Sequence, residues 1–76
     1  MAMSNAMKMY KKYPKLFMEM FLHSMEENPD HPDDNSVIFS KIMSNVTHPG
    51  NYWMPDWPEI PEILEDFKNL NLEKEE

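Results

Sequence analysis

The chain has 76 residues and carries 14 acidic side chains against 7 lysines, for a formal net charge of −7. This length allows one small domain, residues 1–76. The absence of cysteine and the single glycine exclude disulfides, thiolate metal sites and glycine-rich phosphate-binding loops. The chain also lacks arginine, and its negative charge repels phosphates, which argues against direct contact with nucleic acid. We therefore expect a binding protein without catalytic activity, cofactor or metal.

The two ends of the chain differ in composition from the rest. Residues 1–6 resemble a leader or an expression tag, and residues 73–76 form a charged tail that we expect to fray. The densest apolar run, residues 16–22, contains Glu19 and is too short to span a membrane. We expect no membrane contact and a cytoplasmic location, in the host cytoplasm if the chain is viral.

The first predicted helix covers residues 14–27. A helical pattern begins at Ala6, but Pro14 interrupts it, because proline disfavours helical geometry at the preceding residue and fits the first position of a new helix. This helix is apolar on nearly all sides and needs more neighbours than one small domain offers. We therefore expect a homodimer with an interface formed by Phe17, Met18, Phe21, Leu22 and Met25.

A polar connector at residues 28–35 precedes the second predicted helix, at about residues 36–47. Asp34 or Asn35 is expected to cap this helix, because a short polar side chain can accept a hydrogen bond from the unpaired N–H groups of the first turn. The β-branched content of the segment leaves a strand as the alternative.

The third predicted helix begins near Pro61, after a rigid aromatic and proline-rich loop at residues 51–58. A capping box formed by Asp56 and Glu59 would start the helix one turn earlier, but Pro61 would then lie inside it. The sequence thus predicts an all-α, compact three-helix domain.

Carboxylates are dense at the start of the third helix, while the apolar residues between them keep helical spacing. We expect the acids to share the outward face, and they are Asp56, Glu59, Glu62, Glu65 and Asp66. The last four span about 10 Å, or about one charge per 3 Å, close to the spacing of about 3.4 Å between phosphates of one DNA strand. The alternative is a solvated face that maintains solubility. A second acidic cluster comprises Glu26, Glu27, Asp30, Asp33 and Asp34.

Aromatic and basic residues supply two further candidate contacts. Trp53 and Trp57 can anchor the edge of a partner, or they can cover the core. Four lysines recur at helical spacing, where they can neutralise acids on a dimer mate or contact phosphates or a membrane surface. These are Lys8, Lys11, Lys12 and Lys15.

Together these features suggest an inhibitor that mimics DNA and occupies the basic nucleic-acid-binding surface or channel of a replication or transcription protein. Small acidic chains rich in lysine, asparagine and methionine are similar in character to phage host-takeover proteins, a likeness of class that involves no motif. Two alternatives remain. The chain can be a non-catalytic accessory subunit docked through its apolar first helix, or a regulatory module that uses its lysines on nucleic acid.

Overall fold

The computed structural model describes the backbone of residues 4–74 and the side chains of residues 4–70. This part of the chain is all-α and forms four helices, which are α1 (Asn5–Lys12), α2 (Pro14–Glu27), α3 (Asn35–Thr47) and α4 (Ile60–Lys74). The all-α prediction is confirmed, and the predicted count of three helices is wrong. The additional helix is α1, in the segment where Pro14 was expected to interrupt the helical pattern.

Pro14 divides two helices that meet almost without a connector. The backbone N–H of Tyr13 donates to the carbonyl of Met9 (2.8 Å) and closes the last turn of α1, while the carbonyl of Tyr13 accepts from the N–H of Phe17 (3.3 Å) and opens α2. Tyr13 alone is non-helical, with φ −128° and ψ 61°, because the proline ring excludes helical geometry at the residue before it.

The predicted leader and tail are only partly described. Residues 1–3 lie outside the described residues, whereas Ser4 caps α1 by accepting a hydrogen bond from the N–H of Met7 (3.1 Å). At the other end, the backbone of α4 continues to Lys74, and residues 75 and 76 lie outside the described residues. Residues 4–6 therefore belong to α1 and its cap.

All four helices contribute to one core. Helix α3 packs against both α2 and α4, and α1 packs against α2 and α3. At the centre, the rings of Phe17 and Phe67 stack with centroids 6.5 Å apart, and Phe39 packs on Phe67 at 5.8 Å. The buried apolar side chains are Met9, Leu16, Phe17, Met20, Ile38, Ile42, Ile63, Phe67 and Leu70.

The residues predicted to form the dimer interface point in different directions. Phe17 is 1% exposed in the core of its own chain, and Phe21 is partly buried against that core. Met18, Leu22 and Met25 are 56%, 47% and 42% exposed. Because their spacing places them on one side of α2, these three side chains form an exposed apolar row, here called the α2 stripe.

The caps and connectors fix the starts of α3 and α4. Asp34, rather than Asn35, caps α3 by accepting a hydrogen bond from the N–H of Val37 (3.0 Å), and the strand alternative for this segment is wrong. Helix α4 begins at Ile60, with Pro61 in the first turn, where its missing N–H costs no intrahelical hydrogen bond.

The burial of Met9 provides a test of whether α1 belongs to the core. Met9 is 3% exposed and Met7, on the same helix, is 47% exposed. Met9→Ala should lower the free energy of unfolding by about 2–4 kcal/mol, because it leaves a cavity, whereas Met7→Ala should change it by less than about 0.5 kcal/mol. Urea denaturation followed by circular dichroism measures both. Equal effects of the two substitutions would show that α1 is not docked.

Candidate partner-binding surface

The carboxylates of α4 do not all share one face. Glu59, which immediately precedes α4, and Glu62 and Glu65, which lie on it, are exposed and recur at every third residue, and we call these three the α4 acidic ridge. Asp56 is exposed in the preceding loop. Asp66 departs from the predicted set, because it is only partly exposed and lies against the junction between α1 and α2.

Asp66 binds two groups of that junction. Its Oδ2 atom lies 2.5 Å from Nζ of Lys12 and accepts a hydrogen bond of 2.6 Å from the hydroxyl of Tyr13. The Tyr13 ring also stacks on Phe67, with centroids 6.1 Å apart. Asp66 therefore holds α4 to the other end of the chain, and its charge is compensated within the protein.

This contact shifts the pKa values of Asp66 and Tyr13. The ammonium of Lys12 and then the hydroxyl of Tyr13 hold the pKa of Asp66 below its ordinary value of 3.8. Its contribution to stability is therefore present above pH 3.8 and is lost as the pH falls through the lower, folded-state pKa. Burial, followed by the hydrogen bond to Asp66, raises the pKa of Tyr13 from 10.0 to about 12.

The second acidic cluster is also divided. Glu26, Glu27 and Asp30 are exposed at the end of α2 and just beyond it. Asp33 forms an ion pair with Lys41, with Nζ and Oδ2 2.5 Å apart, and Asp34 is the cap of α3. Among the side chains of residues 4–70, Lys12–Asp66 and Lys41–Asp33 are the two ion pairs.

A groove of about 520 Å³ lies between α2 and the start of α4. Met18 and Leu22 form one wall, Trp57 and Pro58 form the other, and the charged rim consists of Lys15, Glu19 and Glu59. An adjacent groove of about 340 Å³ shares Lys15, Trp57 and Glu59 and adds Glu62. Glu59 and Glu62 of the acidic ridge thus border an apolar surface that includes Trp57, which lines both grooves.

Trp53 belongs to a different part of the surface. Its exposed ring stacks on His23, with centroids 4.1 Å apart and planes 9° apart. It lines a cavity of about 270 Å³ together with Lys41 and Tyr52. The structure therefore separates the two predicted aromatic anchors, and Trp57 alone lies beside the acidic ridge.

The loop that carries Trp53 is held by Asn45, a residue that the sequence analysis missed. Asn45 is 2% exposed; its Nδ2 donates to the carbonyl of Tyr52 (3.1 Å) and its Oδ1 accepts from the N–H of Tyr52 (2.8 Å). The available signal was a polar residue at the same helical spacing as the buried Ile38 and Ile42. A buried amide at such a position needs a local partner.

The four N-terminal lysines do not form one helix face. Lys8, Lys11 and Lys12 lie on α1 and Lys15 lies on α2, because Pro14 separates the helices. All four are exposed, and Lys12 also forms an ion pair with Asp66.

Within the described part of the chain, no group of three histidine, aspartate or glutamate side chains is arranged to hold a metal ion. A membrane crossing needs a longer and more apolar helix than any formed by residues 4–74. Comparison with protein-family models, curated sequences and solved structures finds no match to any of them.

The role of Asn45 can be tested by removing its amide. Asn45→Ala should lower the free energy of unfolding by about 2 kcal/mol, because two hydrogen bonds are lost and backbone groups of Tyr52 are left unpaired. Asn51→Ala, which removes an exposed hydrogen bond to Ser44, should cost about 0.5 kcal/mol or less. Denaturant unfolding curves measure both, and a cost for Asn45→Ala no greater than for the control would contradict the assignment.

The contact between Tyr13 and Asp66 predicts a late tyrosine ionisation. Tyrosinate absorbance should include a step near pH 12 that is missing in Tyr13→Phe. In Asp66→Asn the step should move to lower pH, because a neutral amide no longer disfavours the phenolate. Since the folded-state pKa is raised above 10.0, the contribution of Tyr13 to stability should decline as the pH rises from about 10 to about 12. A step that is unmoved by Asp66→Asn would contradict the contact.

Proposed function

We propose that this protein is a non-enzymatic inhibitor that places its α4 acidic ridge in the basic nucleic-acid-binding surface of a replication or transcription protein. The observation that carries the proposal is the exposure of three carboxylates at every third residue, Glu59 just before α4 and Glu62 and Glu65 on it. The carbonyl of Glu59 accepts from the N–H of Ile63 (3.0 Å), so the ridge begins within the hydrogen-bonded first turn. Its three charges span about 9 Å.

The internal pairing of Asp66 supports the negative potential of the ridge. Lys12 lines the same groove as Glu59 and Glu62, and its ammonium is bound by Asp66. Because this lysine is already neutralised, it offsets less of the charge on the neighbouring glutamates. The proposal therefore uses three carboxylates of the predicted four, with Asp66 in a supporting position.

Trp57 gives the ridge an adjacent apolar contact. Its side chain lines both grooves that include Glu59, and a tryptophan at such a position can bury a large area with little loss of rotamer freedom. A partner contact would thus combine long-range attraction by carboxylates with short-range burial at Trp57. Such an inhibitor would act in the cytoplasm of the cell that contains its target, and of the host if the chain is viral.

The α2 stripe supports a second candidate function and also bears on the oligomeric state of the chain. Exposed methionine and leucine side chains in one row suit an accessory subunit that docks on a permanent partner. The same stripe also suits a homodimer, which we propose as the state of the chain in solution. In the homodimer each copy covers the stripe of the other, and no permanent partner is needed.

The inhibitor proposal predicts selective displacement of proteins from DNA. A bacterial lysate is bound to immobilised duplex DNA at about 50 mM salt, and the purified chain is added. The chain should release a small set of DNA-binding proteins from the DNA. Each released protein, once purified, should bind the chain directly, and the affinity of the chain for it should fall at least about tenfold at about 200 mM salt. Glu59→Gln/Glu62→Gln/Glu65→Gln should abolish the release.

The control variant removes charge elsewhere. Glu27→Gln/Asp30→Asn changes two exposed acids at the end of α2 and just beyond it and should retain most of the activity. Equal loss in the two variants would refute the assignment to the ridge, and the absence of any released protein would refute the inhibitor function. Direct binding of the chain itself to the immobilised DNA would favour the lysine-based alternative instead.

A further inference from the structure

We infer that two copies of this chain associate through antiparallel α2 helices, so that their acidic ridges lie along the same side of the dimer. This inference rests on the proposed homodimer and specifies its arrangement. It is carried by the shape of the surface around the α2 stripe and by the positions of charges along α2.

Met18, at the start of the α2 stripe, lies between two grooves. On one side lies the groove bordered by Trp57 and Pro58, and on the other lies a groove of about 290 Å³ whose walls include Tyr10 and Phe21. Helix pairs bury apolar surface by placing the ridge of one helix in the groove of the other. A second α2 helix offers a ridge of matching length and composition.

Charges along α2 select the antiparallel direction. Lys15 and Glu26 are both exposed, and their separation of 11 residues places them about 16 Å apart along the axis and about 20° apart around it. In an antiparallel pair centred on the stripe, Lys15 of each copy lies beside Glu26 of the other. A parallel pair would instead leave Lys15 of one copy and Glu26 of the other about 16 Å apart along the helices and on opposite edges of the contact, so that this attraction would be lost. Around the axis of α2, Glu19 lies about 20° farther from the stripe than Glu26 does, and therefore at the solvent edge of the contact.

The flanking segments strengthen this preference. The start of α2 follows the exposed Lys8 and Lys11 of α1, whereas its end is followed by the exposed Asp30. An antiparallel pair therefore places the basic end of each copy near the acidic end of the other. An interface of standard size needs about 800 Å² from each partner, about one-seventh of the 5625 Å² surface of this chain.

The antiparallel arrangement also positions the proposed partner surface. Trp57 and Glu59 flank the side of the stripe that carries Lys15 and Glu19. A twofold axis that lies in the interface, perpendicular to the helices, brings equivalent edges of the two copies to the same side. The two acidic ridges then form one larger acidic surface, to which each copy contributes three carboxylates.

The existence of the dimer is tested on the purified chain alone by sedimentation equilibrium across a dilution series. The wild-type chain should be a reversible dimer, and Leu22→Lys should be a folded monomer by circular dichroism. Val37→Lys, at an exposed apolar position of α3, should leave the dimer unchanged. A monomeric wild-type chain, or equal effects of the two lysine variants, overturns the inference. The DNA-displacement result is independent of this measurement.

The direction is tested by cross-linking, because the chain has no cysteine. In the antiparallel pair, Met18 of one copy faces Met25 of the other. A mixture of Met18→Cys and Met25→Cys chains should therefore oxidise to a mixed dimer, while either variant alone should cross-link at least about tenfold more slowly. Preferential cross-linking of Met18→Cys to itself shows a parallel pair and overturns the arrangement, as does the absence of cross-linking in a dimeric mixture.

The pairing of Lys15 with Glu26 is tested by charge reversal. Lys15→Glu and Glu26→Lys should each weaken the dimer by about tenfold, since each replaces two attractions with two repulsions. The double variant should restore wild-type association. Failure of the double variant to restore it contradicts the pairing of Lys15 with Glu26.

Discussion

The contact of Asp66 with Lys12 and Tyr13 links the two ends of the fold. It joins the junction of α1 and α2 to the middle of α4, and the stacking of Tyr13 on Phe67 extends the link into the core. The same contact positions Lys12 and Tyr13, which line the groove that contains Trp57 together with Glu59 and Glu62. Asp66 thus helps to position the candidate surface, although its own charge is paired with Lys12.

The helices with clear local signals could be predicted from the sequence. Pro14 marks the start of α2, and Asp34 marks the cap of α3, because proline geometry and side-chain capping act within one turn. Helix α1 was missed because it is short and polar, and an isolated helix of this length is marginal in water. It is stabilised by the burial of Met9 in the core and by the following residue Tyr13, whose partners Asp66 and Phe67 lie far away in the sequence.

The candidate surface could be predicted in composition but only partly in geometry. Glu65 and Asp66 are neighbours in the sequence, yet they point about 100° apart around the helix, and only Asp66 reaches the junction of α1 and α2. Spacing gives the angle of a side chain, but it does not show which part of the chain packs at that angle. The same limit applies to Trp53 and Trp57, which are four residues apart and line different cavities.

The distribution of charge connects the fold to association. Lysines are concentrated before Leu16 and acids after it, so that a single copy is electrically polarised along its chain. Folding neutralises Lys12 and Lys41 through ion pairs and leaves Lys8, Lys11 and Lys15 exposed at one end. Because an exposed lysine gains little from distant charges in salt water, these residues are best neutralised by a close acidic surface. In the antiparallel dimer that we propose, a second copy would provide that surface and would leave the acidic ridge available to a different, basic partner.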